Sequence, residues 1–259
     1  MFNILLARIR QGHRTADYPR SEPVMPPRFR GCPRREPGLC KEGCNACVEV
    51  CPADCIRRAG RDGWQLDLGR CLFCGACAQA CAAGALTFTR EYRLAARTRD
   101  ALLVDRDGLP PVEALRGAML NVFGRSLKLR QVSAGGCNAC EADVNVLGTL
   151  VYDLGRFGIQ FVASPRHADG LLITGPVTRA MELALMKTWE AVPEPRIVIA
   201  VGACAIAGGP YRDQPETLNG ADARLPVDLF VPGCPPHPMT ILDGLLRLLG
   251  RLKRPIKTG

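Results

Sequence analysis

The chain has 259 residues, 47% apolar and 23% charged, a balance that excludes disordered and collagen-like classes. It carries 14 cysteines but only 5% aromatics, and its formal net charge is +9. No run of about 18 apolar residues predicts a membrane span, and the start MFNILLARIRQGHR lacks the apolar length and cleavage site of a signal peptide. The expected setting is therefore reducing, where many cysteines point to metal rather than disulfides.

Residues 1–39 hold six prolines and most of the basic excess: residues 1–35 contain eight Arg against two acids. Twelve thiolates on three doubly charged [4Fe–4S] cores would bring the holoprotein to about +3. The positive charge is thus local to one arm, with neither aromatic interleaving nor a helix-turn-helix pattern, so nucleic acid is not an expected partner. After a short apolar turn or helix over 2–9, the arm reads as extended chain. It has too few large apolar groups to make a core and is expected to order only against partner subunits. Phe2, Ile4, Leu5, Leu6 and Ile9 would then face a membrane-side partner.

Residues 40–105 form the next unit and contain an internal repeat. NACVEVCPADCI at 45–56 matches GACAQACAAGAL at 75–86, an offset of 30 residues. The spacing Cys71-x2-Cys74-x2-Cys77-x3-Cys81 is the bacterial two-cluster pattern. Its counterpart is Cys40-x3-Cys44-x2-Cys47-x3-Cys51-Pro52, one residue longer in its first interval. In that pattern the fourth cysteine of each run serves the other cluster. Cys51 is therefore expected with Cys71, Cys74 and Cys77, and Cys81 with Cys40, Cys44 and Cys47. Two cysteines are left over. Cys55 aligns with Ala85 and reads as a small core residue, or else as a substitute ligand for the out-of-register Cys40. Cys32, on the arm, reads as a free thiol.

Residues 106–127 read as linker and helix, with a helical pattern over 112–123. From 128 to 259 strands and helices alternate. Strands are expected at 127–133, 159–163, 170–174, 196–201 and 227–231, and helices at 140–154, 179–192 and 239–252. Runs such as IVIAV read as doubly buried parallel strands, giving an α/β fold with a flavodoxin-like doubly wound sheet. The N-terminal unit would be an α+β bacterial-ferredoxin-like domain. In open α/β sheets ligands gather beyond the carboxyl ends of the strands. Cys137, Cys140, Cys204 and Cys234 all fall just past expected strands and beside glycines, which predicts a third [4Fe–4S] cluster. The last stretch, ILDGLLRLLGRLKRPIK, is amphipathic and basic. It reads as a core-facing helix, with docking on a membrane subunit as the alternative.

The segment RFGIQFVASPRHADGLLITGPVT at 156–178, with GGCNACE, GACAIAGGPY and VPGCPPHP, resembles the small subunit of membrane-bound [NiFe]-hydrogenases of the formate hydrogenlyase type. It is also similar to the 20-kDa-type subunit of respiratory complex I. The Cys137-x2-Cys140 spacing favours the hydrogenase side, since the complex I relatives carry adjacent cysteines there. Residues 1–105, with YPRSEPVMPPRFRG and LGRCLFCGAC, resemble the two-cluster ferredoxin subunit of the same complexes, so the chain looks like a fusion of two neighbours. Three features depart from the pattern: the extra residue after Cys40, the presence of Cys55, and Ala82 where proline often follows.

The resemblance implies a subunit of an oxidoreductase complex, peripheral on the cytoplasmic face of the inner membrane. Its electrons pass through three [4Fe–4S] clusters to or from a nickel–iron large subunit. The other implied partners are integral membrane subunits and an electron-donor subunit or soluble ferredoxin. The chain itself would hold no nickel, and no general acid or base is needed for bond-breaking here; the cofactors carry the chemistry. Glu141 either lines the large-subunit interface as a proton relay or is a helix N-terminal acid favoured by the dipole. Arg166 and His167 resemble a family loop near the cluster, where a cation would favour the reduced state; a structural pair is the alternative. His237 reads as a neighbour of the cluster or exposed, and His13 as exposed. Two other functions compete: the same module in a quinone- or ferredoxin-linked complex I relative without hydrogenase activity, and a soluble iron–sulfur carrier or sensor.

Overall fold

The computed structural model describes residues 2–41, 43–59, 63–104, 109, 112–115 and 118–252. In chain order the elements begin with α1 (Phe2–Gln11) and β1 (Pro33–Arg35). Then come α2 (Ala46–Glu49), β2 (Ile56–Ala59), β3 (Gly63–Asp67), α3 (Ala76–Gln79), β4 (Leu86–Phe88) and β5 (Leu103–Val104). The second half holds α4 (Ala118–Phe123), β6 (Leu127–Ser133), α5 (Ala139–Val146), β7 (Ile159–Phe161), β8 (Gly170–Thr174) and α6 (Arg179–Glu190). It closes with β9 (Ile197–Val201), α7 (Ala203–Ala207), β10 (Leu229–Val231) and α8 (Pro238–Leu248).

The repeat folds as a pair of matched units. Single-turn helices α2 and α3 carry Cys47 and Cys77, and the chain leaves each into a strand, β2 or β4. β4 pairs antiparallel with β1, while β2, β3 and β5 form a second antiparallel sheet. The strand β1 lies within the stretch read from sequence as arm, so the arm contributes a strand to this unit.

In the second half β7, β6, β8, β9 and β10 lie side by side, all parallel. In the sheet's own chain order this is 2-1-3-4-5, the flavodoxin-like doubly wound arrangement. GLLIT in β8 and IVIAV in β9 are buried at every position, as central strands covered on both faces must be. The connector from the first unit closes the open edge: Ala96 and Phe230 of β10 exchange backbone hydrogen bonds at 2.9 and 2.8 Å.

Some expected elements are shorter. Of the helix expected at 112–123, only α4 is helical; residues 112–115 are not, and Leu115 N–H donates to the Leu248 carbonyl instead. The helix expected to reach 154 stops at Val146, just before Gly148, and the chain turns through Asp153 at φ +46°. Every residue of α8 is buried, so this helix faces the core and offers no surface to a membrane subunit. The basic end of that stretch, 253–257, lies outside the described residues.

The arm needs the largest correction. Composition predicted order only against partners, yet residues 16–32 are strapped across their own chain. Tyr18 is buried and donates its hydroxyl to Asp243 at 2.7 Å, while Asp243 also accepts from Arg247 at 2.8 Å. Arg156 donates to the carbonyls of Ala16 and Tyr18, Arg90 to that of Met25, and Tyr92 to Glu22. A few widely spaced anchors hold an extended chain that has no core of its own. The helix α1 keeps its apolar side in solvent, with Ile4, Leu5 and Ile9 exposed at 72, 60 and 77%, and Val24 of the strap is exposed as well. The Phe2 side chain lies outside the described residues.

Burial pushes Asp243 up, and the hydrogen bond and charge of Arg247 pull it back. Removing one member of this triad at a time tests the strap. Tyr18→Phe is expected to lower stability by about 1–2 kcal/mol. Asp243→Ala strands a buried guanidinium and is expected to cost about 3–5 kcal/mol. Chemical denaturation of the two variants, with the midpoint falling further for Asp243→Ala, checks the order.

Candidate metal centres

In the first unit, positive φ at Phe73 (+52°) and Gly75 (+81°) curls the loop around its own sulfur, so that Phe73 N–H points at Cys71 Sγ at 3.3 Å. Cys51, Cys71, Cys74 and Cys77 line one pocket, and Cys55 lines it with them. Burial, then the neighbouring Cys71 and Cys51, push the Cys77 thiol up to about 12. Cys81 stands elsewhere: it and Cys40 are the thiols that raise Cys47, after burial. Cys44 is exposed on the same loop, and its carbonyl accepts from Arg58.

Cys55 is buried beside Cys51. Its Sγ lies 3.3 Å from Cys51 Sγ, and its N–H points at the same sulfur at 3.5 Å. The sulfur–sulfur hydrogen bond, ahead of an opposing burial effect, holds Cys51 down to about 5. The substitute-for-Cys40 reading is therefore corrected: the repeat places position 55 behind Cys51, on the side of the Cys71 run. Cys32 is half-buried, donates to the Pro33 carbonyl at 3.7 Å and is pushed up to about 12 by burial and Glu91.

The second unit gathers its cysteines at the carboxyl edge of the parallel sheet. Cys137 and Cys140 follow β6, with Cys140 in the first turn of α5; Cys204 opens α7 directly after β9; Cys234 follows β10. Gly202 N–H donates to Val231 and Ala203 N–H to Gly233, both at 2.8 Å, which ties the β9 and β10 loops together. All four thiols are within electrostatic reach of one another. Burial raises Cys140, and Cys204, Cys234 and Cys137 raise it further. Cys204 is pushed up to about 12 by burial, then by Cys234 and Cys137. Two glycines make room: a Cβ on Gly202 (φ +92°) would stand 2.5 Å from Cys140 Sγ, and one on Gly209 (φ +57°) 2.6 Å from Cys204 Sγ. Cys234 is also raised by Cys71 and Cys74, so this set faces the ferredoxin-like unit.

Glu141 fills the crevice between β6 and β8, the switch point of the sheet. It accepts from Ser133 at 2.5 Å and Thr174 at 2.7 Å, the paired last residues of the two strands. Burial raises this carboxyl, but the two hydroxyls outweigh it and leave it below the usual range. Sequence reasoning named Glu141 but missed Ser133 and Thr174, whose pairing needs the strand register. Arg166 and His167 are exposed in the turn that enters the amino end of β8, at the edge opposite the cysteines. His237 caps α8, its Nδ1 accepting from Met239 N–H at 3.1 Å, and His13 is exposed.

The donor sets fit iron–sulfur clusters: all-thiol groups, backbone N–H aimed at sulfur, and glycines where a side chain would strike a ligand atom. Among the described residues no three such side chains converge as tightly as a single ion requires; thiolates of one cubane bind different irons and need not.

Known families account for both units. Residues 39–85 match the model of the 4Fe-4S dicluster domain, and residues 137–248 that of the NADH ubiquinone oxidoreductase, 20 Kd subunit. A probable membrane-bound hydrogenase subunit, mbhJ, of Pyrococcus furiosus is 45% identical over 135 residues, 52% of this chain and 81% of that one. The chain belongs to the NADH ubiquinone oxidoreductase 20 kDa subunit family. Within the family, formate hydrogenlyase subunit 7 of Escherichia coli is 39% identical over 159 residues, 59% of this chain; the chain spans only 62% of that relative's length. An NADH-quinone oxidoreductase subunit of Heliobacterium modesticaldum is 40% identical over 127 residues, 49% of this chain and 73% of its own. The chain is an iron–sulfur protein with a ferredoxin-like unit joined to the family's α/β unit.

Gly202→Ala is expected to expel iron from the sheet-edge site while sparing the ferredoxin-like unit. Anaerobic iron analysis would show a loss of about four irons by the cube count, with the paramagnetic signals of the ferredoxin-like unit retained.

Proposed function

We propose that the chain relays electrons through three [4Fe–4S] clusters in a membrane-associated [NiFe]-hydrogenase-type complex. The ligand sets are Cys40, Cys44, Cys47 and Cys81; Cys51, Cys71, Cys74 and Cys77; and Cys137, Cys140, Cys204 and Cys234. The observation that carries this reading is the pocket at the seam between units, lined by Leu72 and Phe73 of the Cys71 loop and, facing them, by Cys234. It supports a row with the Cys71 set in the middle, the Cys40 set outermost and the sheet-edge set innermost. When bound, the clusters supply one-electron transfer; the protein holds, spaces and surrounds them.

The chain's own residues fix that spacing. Arg99 clamps Asp67 at 2.7 and 2.6 Å, joining the connector to the loop before Cys71. Arg30 of the arm donates to the Phe73 carbonyl at 3.2 Å, and its guanidinium lies against Gly75. For Glu141, held by two hydroxyls beside Cys140, the proposed role is a proton relay toward a large subunit docked on that edge. The nickel–iron large subunit, the integral membrane subunits and a donor subunit or soluble ferredoxin are the proposed partners, with the chain peripheral on the cytoplasmic face of the membrane. Among the described residues no helix is long and apolar enough to cross a bilayer. The similarity to an NADH-quinone oxidoreductase subunit favours one second reading, the same relay in a quinone-linked complex; nickel in the copurified large subunit separates the two.

A serial relay halts when an outer step is broken but leaves local chemistry beyond it intact. In the assembled complex, Cys81→Ala is expected to remove the outermost cluster and to abolish donor-driven hydrogen production. Hydrogen isotope exchange, which needs no relay, is expected to persist. Donor-driven production at the wild-type rate would remove residues 40–91 from the path.

A further inference from the structure

The sheet of β2, β3 and β5 has two different faces. Ile56, Trp64, Leu66 and Val104 are buried on one. The register sets Arg57 opposite Gln65 and Asp67 opposite Leu103 on the other. On that outer face, Arg57, Arg70 and Arg99 line a cavity of about 290 Å³ together with Asp67 and Asp100, with Cys55 in its wall.

Three guanidiniums face two carboxylates in this cavity, so one positive charge is left over. Asp67 is saturated: Arg99 clamps both its oxygens, and Gly69 N–H donates to it at 2.9 Å. Arg70 reaches Asp67 only at 3.4 Å, and its Nε is buried without a hydrogen-bond acceptor. Among the described residues Arg57 makes no ion pair. Arg212 approaches Arg70 from the second unit, and its own partners, Asp54 and Asp213, are exposed at 3.4 and 3.3 Å. Guanidinium forks with open N–H groups match the oxygens of a tetrahedral oxyanion, and two forks can hold one phosphate group from two sides.

We propose that this cavity binds a phosphate-class oxyanion through Arg57 and Arg70, and that its occupancy lowers the reduction potential of the centre at Cys51, Cys71, Cys74 and Cys77. The coupling is electrostatic. Cys55 lines the cavity and its sulfur touches that of Cys51, while Arg70 directly precedes Cys71. A bound anion therefore acts on the centre across a single side chain and opposes the extra electron. By reciprocity the oxidised protein binds the anion more tightly than the reduced one. The coupling rests on the cluster assignment above; the binding does not.

The test is calorimetric titration of the full chain, purified anaerobically, with inorganic phosphate and with AMP at fixed ionic strength. Saturable 1:1 binding is expected with a dissociation constant below about 1 mM, weakened at least tenfold in Arg57→Gln and in Arg70→Gln and unchanged in Arg34→Gln. Tighter AMP binding assigns the phosphate to a nucleotide, and equal binding assigns it to free phosphate. No saturable heat, or binding indifferent to both substitutions, overturns the site. In the redox arm, a tenfold preference for the oxidised form lowers the midpoint by about 59 mV, followed by paramagnetic resonance with and without phosphate. An unchanged midpoint with phosphate bound overturns the coupling. Binding in a protein without the middle cluster would leave the site standing and sink the cluster assignment instead.

Discussion

Thiols that converge in a buried setting cannot all ionise unless a cation joins them, and most of this molecule is arranged around that constraint. Cys140 is raised by burial and by three neighbouring cysteines, and Cys77 by burial and three others. Without metal these groups would be costly to bring together; with iron the same convergence becomes binding free energy. The glycines at 202 and 209 and the left-handed turns at Phe73 and Gly75 let backbone close around sulfur, where a Cβ or an ordinary turn would push it away.

The second demand is a fixed seam. Electron transfer between centres in different units depends on their separation, so the units must not slide. Ala96 is stitched to Phe230, Gly69 packs against Ile206 and Arg99, and Arg212 reaches Asp54. The arm adds a strap over both, bonded to Asp243 of α8 at one point and running beside Thr89 and Glu91 at another. Among the described residues α1 leaves Ile4, Leu5 and Ile9 exposed to solvent.

Much of this was legible because its signals are local. A run such as IVIAV bounded by proline and glycine admits little besides a central strand, and β6 and β8 lie where the pattern put them. The dicluster unit is likewise announced by cysteine intervals of a few residues. What escaped is what depends on distance in sequence. Tyr18 and Asp243 are 225 residues apart, and nothing near either one announces the other. Composition judged the arm by its average, while three or four anchors decide its fate. The helix expected at 112–123 lost to a tertiary bond between Leu115 and Leu248, and Cys55 found its place only when the repeat folded behind Cys51.

The central claim is a row of three four-cysteine centres in which the fourth ligand of each ferredoxin-like run crosses to the other. Anomalous iron scattering from crystals of the anaerobically purified chain reads this directly. The account predicts three compact iron peaks: one between Cys81 and the Cys40–Cys47 loop, one between Cys51 and the Cys71–Cys77 loop, and one under Cys140, Cys204 and Cys234. Cys51 would touch the middle peak. Two peaks only, or a peak that joins Cys51 to Cys40 and Cys44, would contradict it.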